Sequence, residues 1–181
     1  MMSDYKRLSD VNLVDFGIDC GIEDKIENLV RALLFIRFPF ESEISKASCK
    51  GHLDVKKHQH PWVRLVMNLE DRGVLNCLVE DYNKKGDIKW RVHGDQTLSP
   101  VVEACTFCNI NKRKMYKGEL EKMQQSADEL AEHIFDNRYA TARTFYLEKA
   151  RRSLIFFREN YGKDEIKYAL ATLEKVCAPI S

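Results

Sequence analysis

The sequence predicts a mainly α-helical protein, a single compact domain over residues 1–181 with a small antiparallel β-hairpin near residues 74–93 and a C-terminal bundle of about four helices. Apolar residues recur at helical spacing through most of the chain, and one short segment alternates between apolar and polar residues. A length of 181 residues suffices for one hydrophobic core but is short for two. Residues 1–98 are expected to hold the N-terminal helices and the hairpin, and residues 99–181 the C-terminal helical half.

Two helices are predicted before the hairpin. The first covers residues 22–37, where apolar residues lie three or four positions apart and Pro39 disfavours helical backbone at the residue before it. The second runs from Pro61, which suits the first position of a helix, to about Arg72. The polar residues 40–60 between them are predicted to form a loop or a short helix.

The hairpin is predicted from two apolar segments on either side of a turn. Residues 74–82 form the first strand, residues 83–86 the turn, and residues 88–93 the second strand, in which apolar and polar side chains alternate strictly. The apolar residues of the first strand also fit helical spacing. One continuous helix over residues 61–84 is therefore an alternative interpretation.

The chain after the hairpin is predicted to be helical. Ser99 is a good helix-capping residue, and Pro100 suits the first position of a helix. Helical spacing then predicts one helix that ends near Asn137, a long helix over residues 139–160, and a last helix after Gly162.

Charge and composition exclude several classes of protein. The 29 basic and 28 acidic residues nearly cancel, so any affinity for nucleic acid has to come from a local patch. Charged residues interrupt every apolar stretch well before the roughly 20 residues of a membrane span, so no membrane partner is predicted. Six cysteines are too few for a disulfide scaffold, and the first ten residues lack the apolar core of an export signal. Reduced thiols and a cytoplasmic or nuclear location are therefore expected.

A zinc site is predicted from two pairs of residues with the same spacing. Cys105 and Cys108 are three positions apart, so both thiolates can reach one tetrahedral Zn²⁺. Cys49 and His52 repeat this spacing and are the predicted second half of the site. Three other histidines are alternative ligands for that half: His58, His60 and His93. The competing interpretation is that the two cysteines of the first pair are buried small apolar residues on successive turns of a helix.

A nucleic-acid-binding surface is predicted from two groups of residues. The first, the basic cluster, lies within residues 109–117, which contain no acidic residue. Its members are Lys112, Arg113, Lys114 and Lys117. The second, the aromatic–basic stripe, lies on one face of the long helix: Arg138, Phe145, Lys149, Arg152 and Phe156. Basic side chains contact phosphates and aromatic rings stack on unpaired bases, so RNA or another single-stranded nucleic acid is the predicted partner. The alternative is that the two phenylalanines are core residues and that the basic side chains pair with Glu148 and Glu159.

These patterns predict a non-enzymatic RNA-binding accessory or regulatory protein. If the cysteine site forms, a bound zinc ion stabilises its fold. The sequence has no glycine-rich phosphate-binding loop, no serine nucleophile elbow and no zinc-protease motif. Two alternatives stay open. A helical adaptor would use the same stripe to dock a protein partner, because aromatic residues and arginine are frequent at protein interfaces. A small metal-dependent enzyme would need a zinc ion with an open coordination position.

Overall fold

A computed structural model describes most of the chain: residues 7–16, 22–34, 43–48, 60–94, 97–101, 117–160, 167–169 and 171. The chain divides into two compact units, which we call unit 1 (residues 1–138) and unit 2 (residues 139–181), and the division falls within the longest helix. The predicted fold class is confirmed, because the described residues are mostly helical and include a small antiparallel sheet. One domain over residues 1–181 stays a prediction.

Helical segments at the start of unit 1 supply part of its core. Helix α1 spans Glu27–Leu34, and its apolar residues Leu29, Val30 and Leu33 are fully buried, as their spacing predicts. Among the described residues before it are three short 3₁₀-helices: Leu8–Asp10, Leu13–Phe16 and Asp24–Ile26. The first predicted helix is therefore confirmed over the residues of α1, whereas residues 35–37 lie outside the described part of the chain.

A four-stranded antiparallel sheet lies in unit 1, with the strand order β1-β2-β4-β3. The strands are β1 Glu43–Ser48, β2 Trp62–Val66, β3 Trp90–Val92 and β4 Thr97–Pro100. In β2, Val63 and Leu65 are buried while Arg64 and Val66 are exposed, which is the two-residue period of a half-buried strand. The helix predicted from Pro61 is therefore wrong at its start, because alternating burial favours a strand there.

Helix α2 spans Leu69–Lys85 and replaces the first strand of the predicted hairpin. Asn68 caps it, since its Oδ1 accepts a hydrogen bond from the backbone N–H of Asp71 at 2.8 Å. The buried face of α2 follows helical spacing: Val74, Leu75, Leu78, Val79 and Tyr82. The strand over residues 74–82 is thus wrong, and the alternative helix over residues 61–84 is correct only after Asn68.

The hairpin itself consists of β3 and β4, further along the chain than expected. Trp90 pairs with Pro100, and Val92 pairs with Leu98. The side chain of Asn83, in the last turn of α2, makes two hydrogen bonds with the backbone of Trp90. Its Nδ2 donates to the Trp90 oxygen and its Oδ1 accepts from the Trp90 N–H, each at 2.8 Å. Because Pro100 ends β4, the helix start predicted at these residues is wrong. Proline is tolerated there because the next N–H toward β3 comes from Val101, which donates to the backbone oxygen of Lys89 at 2.6 Å.

Helix α3 spans Lys117–Asn160 and replaces two of the predicted helices. The sequence from 119 to 160 contains neither glycine nor proline, so nothing in it favours a break near Asn137. The Asn137 side chain instead donates to the backbone oxygen of His133 at 2.8 Å, within the continuous helix. Residues 167–169 and 171 are helical as well. Among the described helices, none is long and apolar enough to cross a membrane.

Candidate functional site

Several of the predicted site residues lie outside the described residues, and their predictions stay open. They are the four zinc ligands Cys49, His52, Cys105 and Cys108, and three members of the basic cluster, Lys112, Arg113 and Lys114. Lys117 is the first residue of α3. Within the described ranges, no group of three or more metal-ligating side chains occurs. Elemental analysis of the purified protein is the measurement that checks the zinc prediction.

The structure separates Arg138 from the rest of the aromatic–basic stripe. Its side chain belongs to unit 1 and is only 9% exposed. The guanidinium carbon lies 3.8 Å from the centre of the Phe135 ring, a cation–π contact, and Nη1 donates to the Phe135 backbone oxygen. Arg138 therefore has a packing role, and we leave it out of the candidate surface.

The other four stripe residues lie together on α3 in unit 2. Phe145 is half-buried, while Lys149, Arg152 and Phe156 are exposed, with 65% of Phe156 accessible to solvent. At about 100° per residue, the four fall within an arc of about 60° around the helix axis. We call these four residues the aromatic–basic surface. Basic groups and an exposed ring on one helix face can contact phosphates and a base together.

The structure also exposes apolar residues that the stripe did not include. Ile155 is 50% exposed and Phe157 is 47% exposed. The Phe157 ring lies 6.0 Å from the Phe156 ring, centre to centre, at an interplanar angle of 77°. The sequence holds a signal for this exposure: residues 154–157 are four successive apolar residues, and a helix cannot bury four successive side chains on one face.

The aromatic–basic surface lies in the basic half of α3. Residues 139–160 contain five basic and two acidic residues, whereas residues 117–138 contain three basic and six acidic ones. The helix dipole favours such a distribution only within the first and last turns. It therefore does not account for Arg143, Lys149 and Arg152, which lie well before the end of the helix. Residues 143–152 contain four basic residues and one acidic residue, a local excess of positive charge in a chain that is nearly neutral.

Within this surface Arg152 has an acidic neighbour. Its Nη2 donates to Glu148 Oε2 at 3.4 Å, one helical turn earlier, and both side chains are exposed. An exposed pair at this spacing stabilises a helix by about 0.3–0.5 kcal/mol. An anionic ligand can therefore replace Glu148 as the partner of Arg152 at little cost.

A polar network in unit 1 joins α2, β3 and α3. The Tyr82 hydroxyl lies 3.0 Å from Ser126 Oγ and 3.3 Å from Glu129 Oε2, and Trp90 Nε1 donates to Ser126 Oγ at 2.9 Å. Burial raises the pKa of the Tyr82 phenol. A protonated, hydrogen-bonded phenol is a poor base at neutral pH, so the network serves the packing of unit 1.

A surface pocket of about 290 Å³ lies beside this network. Six residues line it: Asp81, Tyr82, Lys85, Gly86, Glu129 and His133. His133 Nε2 lies 3.5 Å from Asp81 Oδ2, and Lys84 donates to Asp81 Oδ1 at 3.0 Å. The hydrogen bond from Lys84 lowers the pKa of the Asp81 carboxyl. The Asp81 carboxylate in this pocket thus already has two basic partners, Lys84 and His133.

A serine–histidine pair in unit 1 has the spacing of a nucleophile and its base. Ser99 Oγ lies 2.9 Å from His93 Nε2, across the hairpin of β3 and β4. Ser99 is only 4% exposed, so a substrate cannot reach its hydroxyl in this conformation. The pair acts as a cross-strand hydrogen bond.

Comparisons with known proteins return no relative of this chain. No protein-family model, no curated protein and no solved structure matches it. A functional assignment therefore rests on the chemistry of the described surface.

Proposed function

We propose that the protein binds RNA or another single-stranded nucleic acid, without catalysis, through the aromatic–basic surface of α3. The observation that carries the proposal is the exposure of Phe156 on the same helix face as Lys149 and Arg152. Phosphates need exposed cations, and unpaired bases need an exposed ring on which to stack. Both requirements are met within two turns of one helix.

The size of the surface sets the expected strength of binding. One base stacked on an aromatic side chain contributes about 1–3 kcal/mol. Contacts of Lys149 and Arg152 with phosphates add a salt-dependent term. Micromolar binding corresponds to about 8 kcal/mol, so this small surface supports weak rather than tight association.

A protein partner is the second candidate, and Ile155 is the observation that favours it. This aliphatic side chain is 50% exposed and adjacent to Phe156, yet it offers no plane on which a base can stack. Exposed aliphatic and aromatic residues beside arginine are typical of the centre of a protein interface. In that case the protein is an adaptor whose partner presents an acidic helix or groove.

The salt dependence of binding tests the proposal. The full-length protein is titrated into a short, unstructured, fluorescently labelled RNA, and its dissociation constant is measured by anisotropy at several salt concentrations. Between roughly 50 and 200 mM salt, two phosphate contacts predict a loss of affinity of about sevenfold and three predict about twentyfold.

Either of two outcomes contradicts the proposal. The first is the absence of binding at the lowest salt concentration. The second is an affinity that does not change with salt, because contacts with phosphates release counterions and apolar contacts do not. The first outcome favours the adaptor.

A further inference from the structure

We infer that Phe156 is the base-stacking residue of the aromatic–basic surface and that it restricts binding to unpaired bases, an inference that rests on the proposed function. Its ring is the most exposed aromatic side chain described between residues 139 and 160. Arg152 precedes it by one helical turn and Lys149 by two, about 6 Å and 10 Å along the helix axis. Cations at these positions are within reach of the phosphates next to a base that lies on the ring.

Phe157 has a different position and supplies an internal control. It follows Phe156 directly, so its side chain leaves the helix about 100° away from the face that carries Lys149 and Arg152. The two rings are tilted by 77°, so they do not form one continuous stacking plane. Phe157 is also exposed, at 47%. A general effect of exposed aromatic rings would involve both residues, whereas base stacking beside the cations involves Phe156.

The chemistry of a phenyl ring selects for unpaired bases. A phenyl ring has no hydrogen-bonding groups, so it binds a base by stacking on the flat face of that base. In a duplex those faces are covered by the neighbouring base pairs, and opening a stack costs a few kcal/mol. Single strands offer their bases without this cost. A duplex therefore keeps the phosphate contacts of Lys149 and Arg152 but loses the contact with Phe156.

Glu148 is expected to compete with the nucleic acid for Arg152. It accepts a hydrogen bond from Arg152 at 3.4 Å and adds a negative charge next to the site of the phosphates. Glutamine in its place keeps the length and helix propensity of the side chain and removes the charge. The variant Glu148→Gln is therefore expected to bind single strands about twofold to threefold more tightly.

The experiment compares variants of the full-length protein on three RNA ligands of the same length. The ligands are an unstructured single strand, a strand of abasic sugars with intact phosphates, and a duplex. The variants are Phe156→Leu, Phe157→Leu, Phe156→Trp and Glu148→Gln. Leucine keeps an apolar side chain of high helix propensity, and tryptophan enlarges the stacking face.

We expect Phe156→Leu to weaken binding to the single strand by about fivefold to tenfold, whereas Phe157→Leu changes it less than about twofold. On the abasic strand and the duplex, Phe156→Leu and the wild type bind equally. Phe156→Trp restores or exceeds wild-type affinity for the single strand. Quenching of its indole fluorescence beyond that of the wild type, which contains Trp62 and Trp90, reports the stack.

Two results overturn the inference while leaving the proposed function intact. One is an equal effect of the two leucine substitutions, and the other is equal wild-type affinity for the single strand and the abasic strand. Absence of wild-type binding to all three ligands instead overturns the proposed function itself. If Phe156→Leu lowers the melting temperature, the fluorescence of Phe156→Trp distinguishes base stacking from a purely structural role of the ring. A structural role predicts no quenching by the single strand.

Discussion

The substitution Trp90→Ala is expected to destabilise the protein by about 3–5 kcal/mol, far more than any single substitution on the exposed face of α3. Trp90 is only 1% exposed, and its indole N–H donates to Ser126 Oγ at 2.9 Å. Alanine at this position leaves a cavity and removes the link between β3 and α3 within unit 1. A loss of this size is a large part of the roughly 5–15 kcal/mol that stabilises an ordinary domain.

Chemical denaturation followed by circular dichroism measures this effect. Trp90→Phe is a useful second variant, since it keeps a six-membered aromatic ring but loses the N–H donor and part of the ring volume, so its destabilisation is expected to fall between zero and that of alanine. Leu69→Ala serves as the control, because Leu69 is exposed and its loss is expected to change stability by less than about 0.5 kcal/mol. A cost of Trp90→Ala below about 1 kcal/mol contradicts the packing described for unit 1.

The double substitution Lys149→Ala and Arg152→Ala is expected to weaken RNA binding by about tenfold to thirtyfold. Each charge-assisted contact at an exposed site contributes about 1 kcal/mol, and 1.4 kcal/mol corresponds to tenfold in affinity. Removal of two phosphate contacts also lowers the salt slope by about 1.4. Both residues are exposed and alanine has high helix propensity, so the melting temperature is expected to stay close to that of the wild type.

A variant of equal charge separates this local effect from a change in net charge. Lys25 and Lys122 are both exposed and lie outside residues 139–160, so their double replacement by alanine removes the same two charges elsewhere. This control is expected to weaken binding less than about twofold. Equal weakening by the two double variants, or a lowered melting temperature in the first one alone, contradicts a direct role of Lys149 and Arg152.

The sequence predicted helices where spacing and helix-breaking residues agreed. Apolar residues at helical spacing correctly predicted helical backbone in α1 and α3. The predicted helix end near Asn137 was wrong, because residues 119–160 contain no glycine or proline. Residues 61–68 were misassigned because Pro61 is compatible with a helix start and with the approach to a strand. Asn68, with Glu70 and Asp71 in the following turn, is the better start signal, as the hydrogen bond to Asp71 N–H shows.

The candidate surface was predictable in part, for a similar reason. Helical angles place Lys149, Arg152 and Phe156 on one face, and this holds for any straight helix. The same angles place Arg138 there, yet Arg138 is buried against Phe135. Angle alone does not say where along a helix the core of unit 1 ends, because that depends on packing by distant residues such as those of α1 and α2.

The most direct test of the central claim is ultraviolet crosslinking of a single-stranded RNA to the full-length protein, followed by mass spectrometry of its tryptic peptides. Trypsin cleaves after Arg152 and Arg158, so residues 153–158 form one peptide that contains Phe156. The proposed interface predicts a crosslink within this peptide, which Phe156→Leu reduces and Phe157→Leu does not. RNA that binds but crosslinks nowhere between residues 139 and 160 contradicts the account.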